Sequence, residues 1–172
     1  MIASINLPVT AAFVLLVTYA AITDVKGLKI ANWISMALIA LFIFYIIAGK
    51  FGFDAKPLDI MKHVLVAAAV LVTSFALFAF GAMGAGDAKL ITAVSLWAGP
   101  VKILPFIGAM ALAGGCLALI ILAGTFFLGW DGSGAAPNRF SRLVPSWIRK
   151  GVVPYGVAIC IGALTSIPSL LL

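Results

Sequence analysis

The chain has 172 residues, of which 65% are hydrophobic and 9% are charged, and its mean hydropathy is +1.26. Soluble domains carry about 25% charged residues, so this composition excludes an ordinary soluble domain. The net charge of +6 does not indicate a nucleic-acid partner, because the basic residues sit between long apolar runs. That placement favours a role in membrane topology and contact with anionic lipid.

Few side chains are available for metal or nucleophilic chemistry. His63 is the only histidine, Cys116 and Cys160 lie in separate apolar runs, and glutamate is absent. This set excludes a His-rich metal site and disfavours a catalytic triad that needs histidine. Two cysteines without a CxxC pair are expected to be buried spectators, with a disulfide or a metal pair as the alternative. We therefore predict neither a metal nor a cofactor.

Six runs without a charged residue define the predicted helices. They cover residues 1–23, 30–49, 64–86, 90–101, 103–130 and 151–172. A spanning helix needs about 18 or more apolar residues, and only the fourth run is too short by itself. The first run lacks the basic start of a secretory signal, so we predict a retained span rather than a cleaved leader.

The stretch 90–130 is interrupted only by Lys102, with Pro100 and Pro105 beside it. A single helix over this stretch would be about twice the length that crosses the hydrocarbon core. A lysine at its centre would also be costly. The sequence therefore predicts two spans that turn near 99–105, with Lys102 at the aqueous turn and a short fourth helix beginning at about Asp87.

The resulting fold prediction is an all-α membrane bundle of about six transmembrane helices, forming a single domain over residues 1–172. Six spans place both termini on one side. The first, third and fifth connections carry seven basic residues, which are Lys26, Lys29, Lys89, Arg139, Arg142, Arg149 and Lys150. The opposite side carries four, which are Lys50, Lys56, Lys62 and Lys102. The positive-inside rule then makes the first side cytoplasmic and puts both termini outside.

Two aspartates share the predicted cytoplasmic side: Asp24 ends the first helix and Asp87 begins the fourth. Asp87 follows a glycine-rich stretch, 81–86, whose backbone can bend and allow close approach. A helix cap is the alternative role for Asp87, and an ordinary interfacial position is the alternative for Asp24. If the two carboxyl groups meet, they share a proton. The ionised one can then activate water while the protonated one polarises a peptide carbonyl.

Three segments resemble the motifs of type IV prepilin peptidases. Residues 84–87 read GAGD and match the GxGD motif of that family, continued by Ala-Lys-Leu. Residues 24–32 read DVKGLKIAN and resemble the other half of the motif, in which Ile-Pro-Asn is usual and Ala31 here replaces the proline. Residues 153–158 read VPYGVA and are similar to the Pro-Tyr-Gly-x-Ala that opens the family's last helix.

The resemblance implies a membrane-embedded aspartic endopeptidase whose catalytic dyad is Asp24 and Asp87. Four further residues are expected to shape the site or bind substrate: Gly84, Gly86, Asn32 and Lys89. The implied substrates are prepilins or pseudopilins, whose basic leader is cut after a glycine at the cytoplasmic face of the inner membrane. No state of oligomerisation is implied.

The larger enzymes of this family carry an N-terminal domain with paired CxxC motifs, associated with zinc and with methylation. This chain has no such motifs. It therefore resembles the short, peptidase-only enzymes of tight-adherence (Flp) pilus systems, and we expect no methyltransferase activity.

Other functions stay open on the sequence alone. An archaeal preflagellin peptidase would share the chemistry and the topology. A small proton-coupled transporter or channel would also use membrane carboxylates, although here the acidic residues lie at helix ends rather than mid-span. A non-catalytic assembly subunit could use the glycines for helix packing. The presenilin group is disfavoured, because Thr23 stands where a tyrosine would precede the first aspartate.

Overall fold

The computed structural model describes residues 5–51, 53, 58–128 and 152–165. Its helices are α1 (Asn6–Gly27), α2 (Asn32–Lys50), α3 (Ile60–Ala79), α4 (Ala85–Leu128) and α5 (Tyr155–Leu164). These ranges contain no strand, so the predicted all-α class is confirmed. The basic residues of 139–150 fall outside the described part of the chain.

Four helical stretches are long and apolar enough to cross a bilayer: α1, α2, α3 and the segment Ala85–Gly124 of α4. The membrane class predicted from composition is therefore confirmed. As described, α5 is a shorter apolar helix of 10 residues. The predicted number of six spans is not confirmed.

The helix α4 is broken at Gly99, whose backbone is non-helical with φ 58° and ψ −168°. We call residues 85–98 the first arm and residues 100–128 the second arm. The break lies at the start of the predicted turn, 99–105. Lys102 follows just after it and is half-buried.

Contacts with α5 show that the two arms run in opposite directions. In the second arm, Phe106 lies against Gly162 near the end of α5, whereas Gly114 lies against Tyr155 at its start. The start of α5 adjoins Asp24, and the first arm also begins at that end of the bundle. The second arm therefore returns toward the end from which the first arm departs, as the hairpin prediction requires.

His63 on α3 supplies a hydrogen-bond donor at the break in α4. Pro100 has no N–H to donate to the carbonyl of Leu96, one helical turn earlier. The Nδ1 of His63 lies 2.8 Å from that carbonyl oxygen. Because a carbonyl only accepts, this nitrogen must carry the proton and donate it. A buried side chain from α3 thus satisfies the acceptor that the proline leaves open.

An aromatic cluster around Trp97 holds α1, α2 and the first arm of α4 together. The Trp97 ring packs against Phe13, Phe42 and Tyr45, with centroid separations of 5.4, 5.2 and 6.0 Å. Its Nε1–H donates to the carbonyl of Leu38 at 3.0 Å, which satisfies the one polar atom of the ring. The cluster fixes α1 relative to the first arm, and these two elements carry the two aspartates.

We predict that Gly99→Ala destabilises the protein. The observed φ and ψ are accessible almost only to glycine, so backbone strain alone costs about 1–3 kcal/mol. An added Cβ would also overlap the His63 ring. Thermal unfolding in detergent should show a clearly lower midpoint. The matched control is Gly108→Ala in the second arm, where an added Cβ meets nothing within 4 Å. Equal midpoints for Gly99→Ala and the wild type would show that residue 99 does not need a conformation restricted to glycine.

Candidate active site

The two aspartates lie at the same end of the bundle. Asp24 is in the last turn of α1 and is 5% exposed. Asp87 is in the first turn of α4 and is half-buried. The two carboxyl groups interact electrostatically. The structure therefore brings near each other two groups that are remote in the sequence, which the predicted topology allowed but did not require, while their catalytic role stays a prediction.

The side chain of Asp24 is held by the start of α5. The backbone N–H of Gly156 donates to its Oδ2 at 2.7 Å, although the two residues are 132 positions apart. Gly156 belongs to the first turn of α5, where backbone N–H groups have no partner within the helix. The positive end of the helix dipole adds to the attraction for a carboxylate.

The missing side chain of Gly156 makes this contact possible. A Cβ at that position would lie 2.8 Å from the Cβ of Asp24 and 2.9 Å from its Oδ2, closer than real Cβ atoms come. Gly156 lies in the segment 153–158, and no role was predicted for it from the sequence. The resemblance to Pro-Tyr-Gly-x-Ala was the only signal that could have drawn attention to it, since the contact depends on the fold.

The chain leaves Asp24 through a left-handed turn. The N–H of Leu28 donates to the Asp24 backbone carbonyl at 2.7 Å, and Leu28 has a φ of 51°. This conformation costs a residue with a Cβ about 1–2 kcal/mol. It directs the connection to α2 across the glycine-rich stretch, where a Cβ on Gly86 would lie 3.3 Å from Ile30. The segments next to the two aspartates thus pack directly on each other.

Asp87 stands at a position from which it can cap its own helix. The Gly84 carbonyl accepts the first helical bond of α4, from Ala88 at 3.1 Å, which makes Gly84 the N-cap residue. Asp87 is then the third residue of a possible capping box, the position from which a carboxylate can reach the N-cap N–H. The alternative capping role therefore stays open. It does not exclude a second role, because a carboxylate can accept several hydrogen bonds.

Gly84 cannot carry a side chain without displacing the carboxylate of Asp87. A Cβ at Gly84 would lie 2.7 Å from Asp87 Oδ2. Both glycines that were predicted to shape the site lie in close approaches: a Cβ on Gly84 would displace the Asp87 carboxylate, and a Cβ on Gly86 would crowd Ile30.

The two residues expected to support the site contact each other. Lys89 Nζ donates to Asn32 Oδ1 at 3.0 Å, on the exposed surface of this end. The hydrogen bond joins the first residue of α2 to the first arm of α4. Asn32 and Lys89 thus help to hold the start of α2 against the first arm of α4, where Gly86 also packs on Ile30. Their part in substrate binding stays a prediction.

Metal-ligating side chains do not cluster within the described residues. No group of three or more His, Cys, Asp or Glu side chains there could hold a metal ion. Both cysteines are free, with Cys160 half-buried. The prediction that both are buried is wrong for Cys116, which is exposed. In a bilayer, an apolar helix face can meet lipid instead of protein, so an apolar run does not guarantee burial.

The sequence model of the type IV leader peptidase family matches residues 11–133. The chain belongs to this family. No curated protein and no solved structure matches it. The region matched to the leader peptidase family contains both aspartates and the GAGD segment but ends before α5. The predicted resemblance to prepilin peptidases is therefore confirmed at the level of the family, which implies a membrane peptidase.

We predict that cysteines replacing the two aspartates can be crosslinked within one chain. The variant carries Asp24→Cys and Asp87→Cys, with Cys116→Ser and Cys160→Ser to remove the native thiols. A short-spacer bis-maleimide should join the two positions, because the carboxyl groups interact in the structure. Mass spectrometry of the digested protein detects the joined peptides.

The matched control for this crosslink replaces Asp59 instead of Asp87. Asp59 is exposed and precedes α3, at the opposite end of the bundle. The pair Asp24→Cys and Asp59→Cys should give no crosslink. Similar yields for both pairs would show that the two aspartates do not converge.

Proposed function

We propose that this chain is an aspartic endopeptidase that removes the basic leader from prepilins or pseudopilins, with Asp24 and Asp87 as its catalytic dyad. One observation carries the proposal: in a chain of the leader peptidase family, a buried carboxyl at the end of α1 interacts with a carboxyl at the start of α4. The hydrogen bond from the Gly156 N–H, which holds the Asp24 carboxylate in place, supports the proposal further.

The chemistry follows from the pairing of the two groups. Neighbouring carboxyls resist ionising together, so the pair holds one proton between them. The ionised carboxylate removes a proton from a water molecule, whose oxygen attacks the carbon of the scissile carbonyl. The protonated carboxyl donates its proton to the carbonyl oxygen as the tetrahedral intermediate forms. Collapse of the intermediate breaks the C–N bond, and the leaving nitrogen takes the proton that came from water. One hydroxyl of the intermediate returns its proton to the carboxylate that had donated one, so the C=O bond reforms and the dyad regains its starting state.

The glycine-rich stretch offers the substrate a path to the dyad. Gly81, with a φ of 72°, and Gly84 are exposed, and the segment between them is not helical. Its backbone can therefore be approached closely. We propose that an extended substrate backbone lies along residues 81–86, which brings its scissile bond beside Asp87. An extended substrate is needed because helical hydrogen bonds would shield the carbonyl from attack.

We propose that the end carrying the aspartates faces the cytoplasm, with both termini outside the inner membrane. Among described residues, three lysines lie at each end: Lys26, Lys29 and Lys89 near the aspartates, and Lys50, Lys62 and Lys102 opposite. The cytoplasmic assignment therefore depends on the four basic residues of 139–150 in the fifth predicted connection. This side is also where the basic leader of a prepilin would remain.

We predict that Asp24→Asn and Asp87→Asn each lower leader cleavage at least about 100-fold, since each removes a group that transfers a proton. The assay co-expresses the full chain with a tagged prepilin carrying a basic leader before an apolar helix. A shift in mobility by the length of the leader reports cleavage. A transporter or an assembly subunit would give no such shift, and a preflagellin substrate tests the archaeal alternative.

The matched control is Asp59→Asn, which makes the same substitution away from the site. Asp59 is exposed, caps α3 through the Lys62 N–H and pairs with the Lys62 ammonium at 2.9 Å. Asparagine caps helices about as well as aspartate, so the fold should be kept. This variant should cleave like the wild type. Substantial cleavage by either dyad variant, present in the membrane at normal levels, would refute the dyad.

A further inference from the structure

The start of α5 is a third element of the candidate site, and it lies beyond the region matched to the family. We propose that Gly156 is a positioning residue, which holds the carboxylate of Asp24 in its working orientation through its N–H and through its lack of a side chain. This inference rests on the proposed function, because it gives Asp24 the catalytic role stated above.

The need for such a residue comes from the place of Asp24 in its own helix. A carboxylate in the last turn of a helix faces the negative end of the helix dipole. Burial removes most of the water that could compensate. The N–H of Gly156 offers both a donor and the positive end of α5. The 2.7 Å separation lies at the short end of the range for charge-assisted hydrogen bonds.

This bond also sets the direction of the carboxylate. The backbone of Asp24 is fixed by the bond from Leu28, and its Oδ2 is fixed by the bond from Gly156. With the backbone and one oxygen fixed, the position of Oδ1 is fixed too. The orientation of Asp24 toward Asp87 is thereby determined by α5.

The position of α5 is itself determined by close packing. Gly162, further along α5, lies so near the second arm of α4 that an added Cβ would be 2.7 Å from the Phe106 carbonyl oxygen and 3.0 Å from Met110. Small residues allow helices in a membrane to approach in this way. Gly162 therefore holds the far end of α5 against the second arm of α4, whereas the near end is held at Asp24.

The closest steric contacts of a side chain at position 156 are with Asp24. The three atoms nearest to an added Cβ are all atoms of that side chain, at 2.8, 2.9 and 3.2 Å. The smallest substitution, Gly156→Ala, therefore keeps the N–H donor but forces the carboxylate to move. Misplacement of a catalytic group by about 1 Å can lower a rate about 100-fold.

The test compares Gly156→Ala with Gly162→Ala in the purified full chain. Both add the same methyl group to the same helix at nearly the same separation from the nearest atom, 2.8 and 2.7 Å. We measure kcat and KM on a prepilin substrate, together with the midpoint of thermal unfolding. Gly156→Ala should lower kcat about 100-fold with KM changed less than about twofold. Gly162→Ala should lower the midpoint at least as much but keep kcat within severalfold of the wild type.

A second measurement tests the inference even when the Gly156→Ala protein is present at a low level. In the Asp24→Gly background, the three atoms nearest to an alanine Cβ at position 156 are gone. Adding Gly156→Ala to Asp24→Gly should then leave the unfolding midpoint unchanged, although the same change lowers it in the wild type. A midpoint lowered equally in both backgrounds would overturn the inference, because the methyl group would be meeting something other than Asp24.

The two proposals fail in different ways. If Asp24→Asn or Asp87→Asn still cleaves, the proposed dyad is refuted, and the positioning role falls with it. If those variants are inactive and Gly156→Ala cleaves at the wild-type rate, only the positioning role is refuted. A kcat lowered equally by Gly156→Ala and Gly162→Ala would also refute it, because α5 would then act by packing alone.

Discussion

The hydrogen bond between Gly156 and Asp24 is the constraint on which the candidate site depends. A carboxylate buried at the end of an apolar helix must find donors within the protein, because lipid supplies none. The donor here comes from the first turn of α5, 132 positions away. The last helix must therefore return to the first, and the packing of Gly162 against Phe106 holds its far end.

Glycine serves one purpose at three positions of this site, which is to let neighbouring atoms approach more closely than a Cβ would leave room for. Gly84 makes room for Asp87, Gly156 for Asp24, and Gly86 for the connection at Ile30. The polar groups of the site are thus supplied largely by backbone amides on helix ends, which are rigid and need no side-chain ordering. Each carboxyl group therefore lies at the N-terminus of a helix, Asp24 at that of α5 and Asp87 at that of α4.

The sequence predicted those features that hydropathy and local chemistry decide. Apolar runs gave the helices, and Pro100 beside Lys102 gave the reversal that begins at Gly99. The counting of spans placed Asp24 and Asp87 at one end. The exposure of Cys116, the bond from His63 to Leu96 and the bond from Gly156 to Asp24 were not predicted. Hydropathy separates apolar from polar surroundings, but it does not say which helix faces which, and these contacts depend on that pairing.

The shortness of the first arm of α4 has a consequence for the surrounding lipid. Residues 85–98 rise about 21 Å at 1.5 Å per residue, whereas the hydrocarbon layer is about 30 Å thick. Lys102 favours the polar boundary just past the break, so the deficit falls on the side of Asp87. Either head groups dip toward the carboxyls or a wet hollow penetrates the leaflet, and both deformations are affordable at fractions of a kcal/mol per Å. Solvent would thus reach the two aspartates through a local depression of the membrane, with no tunnel through the protein required.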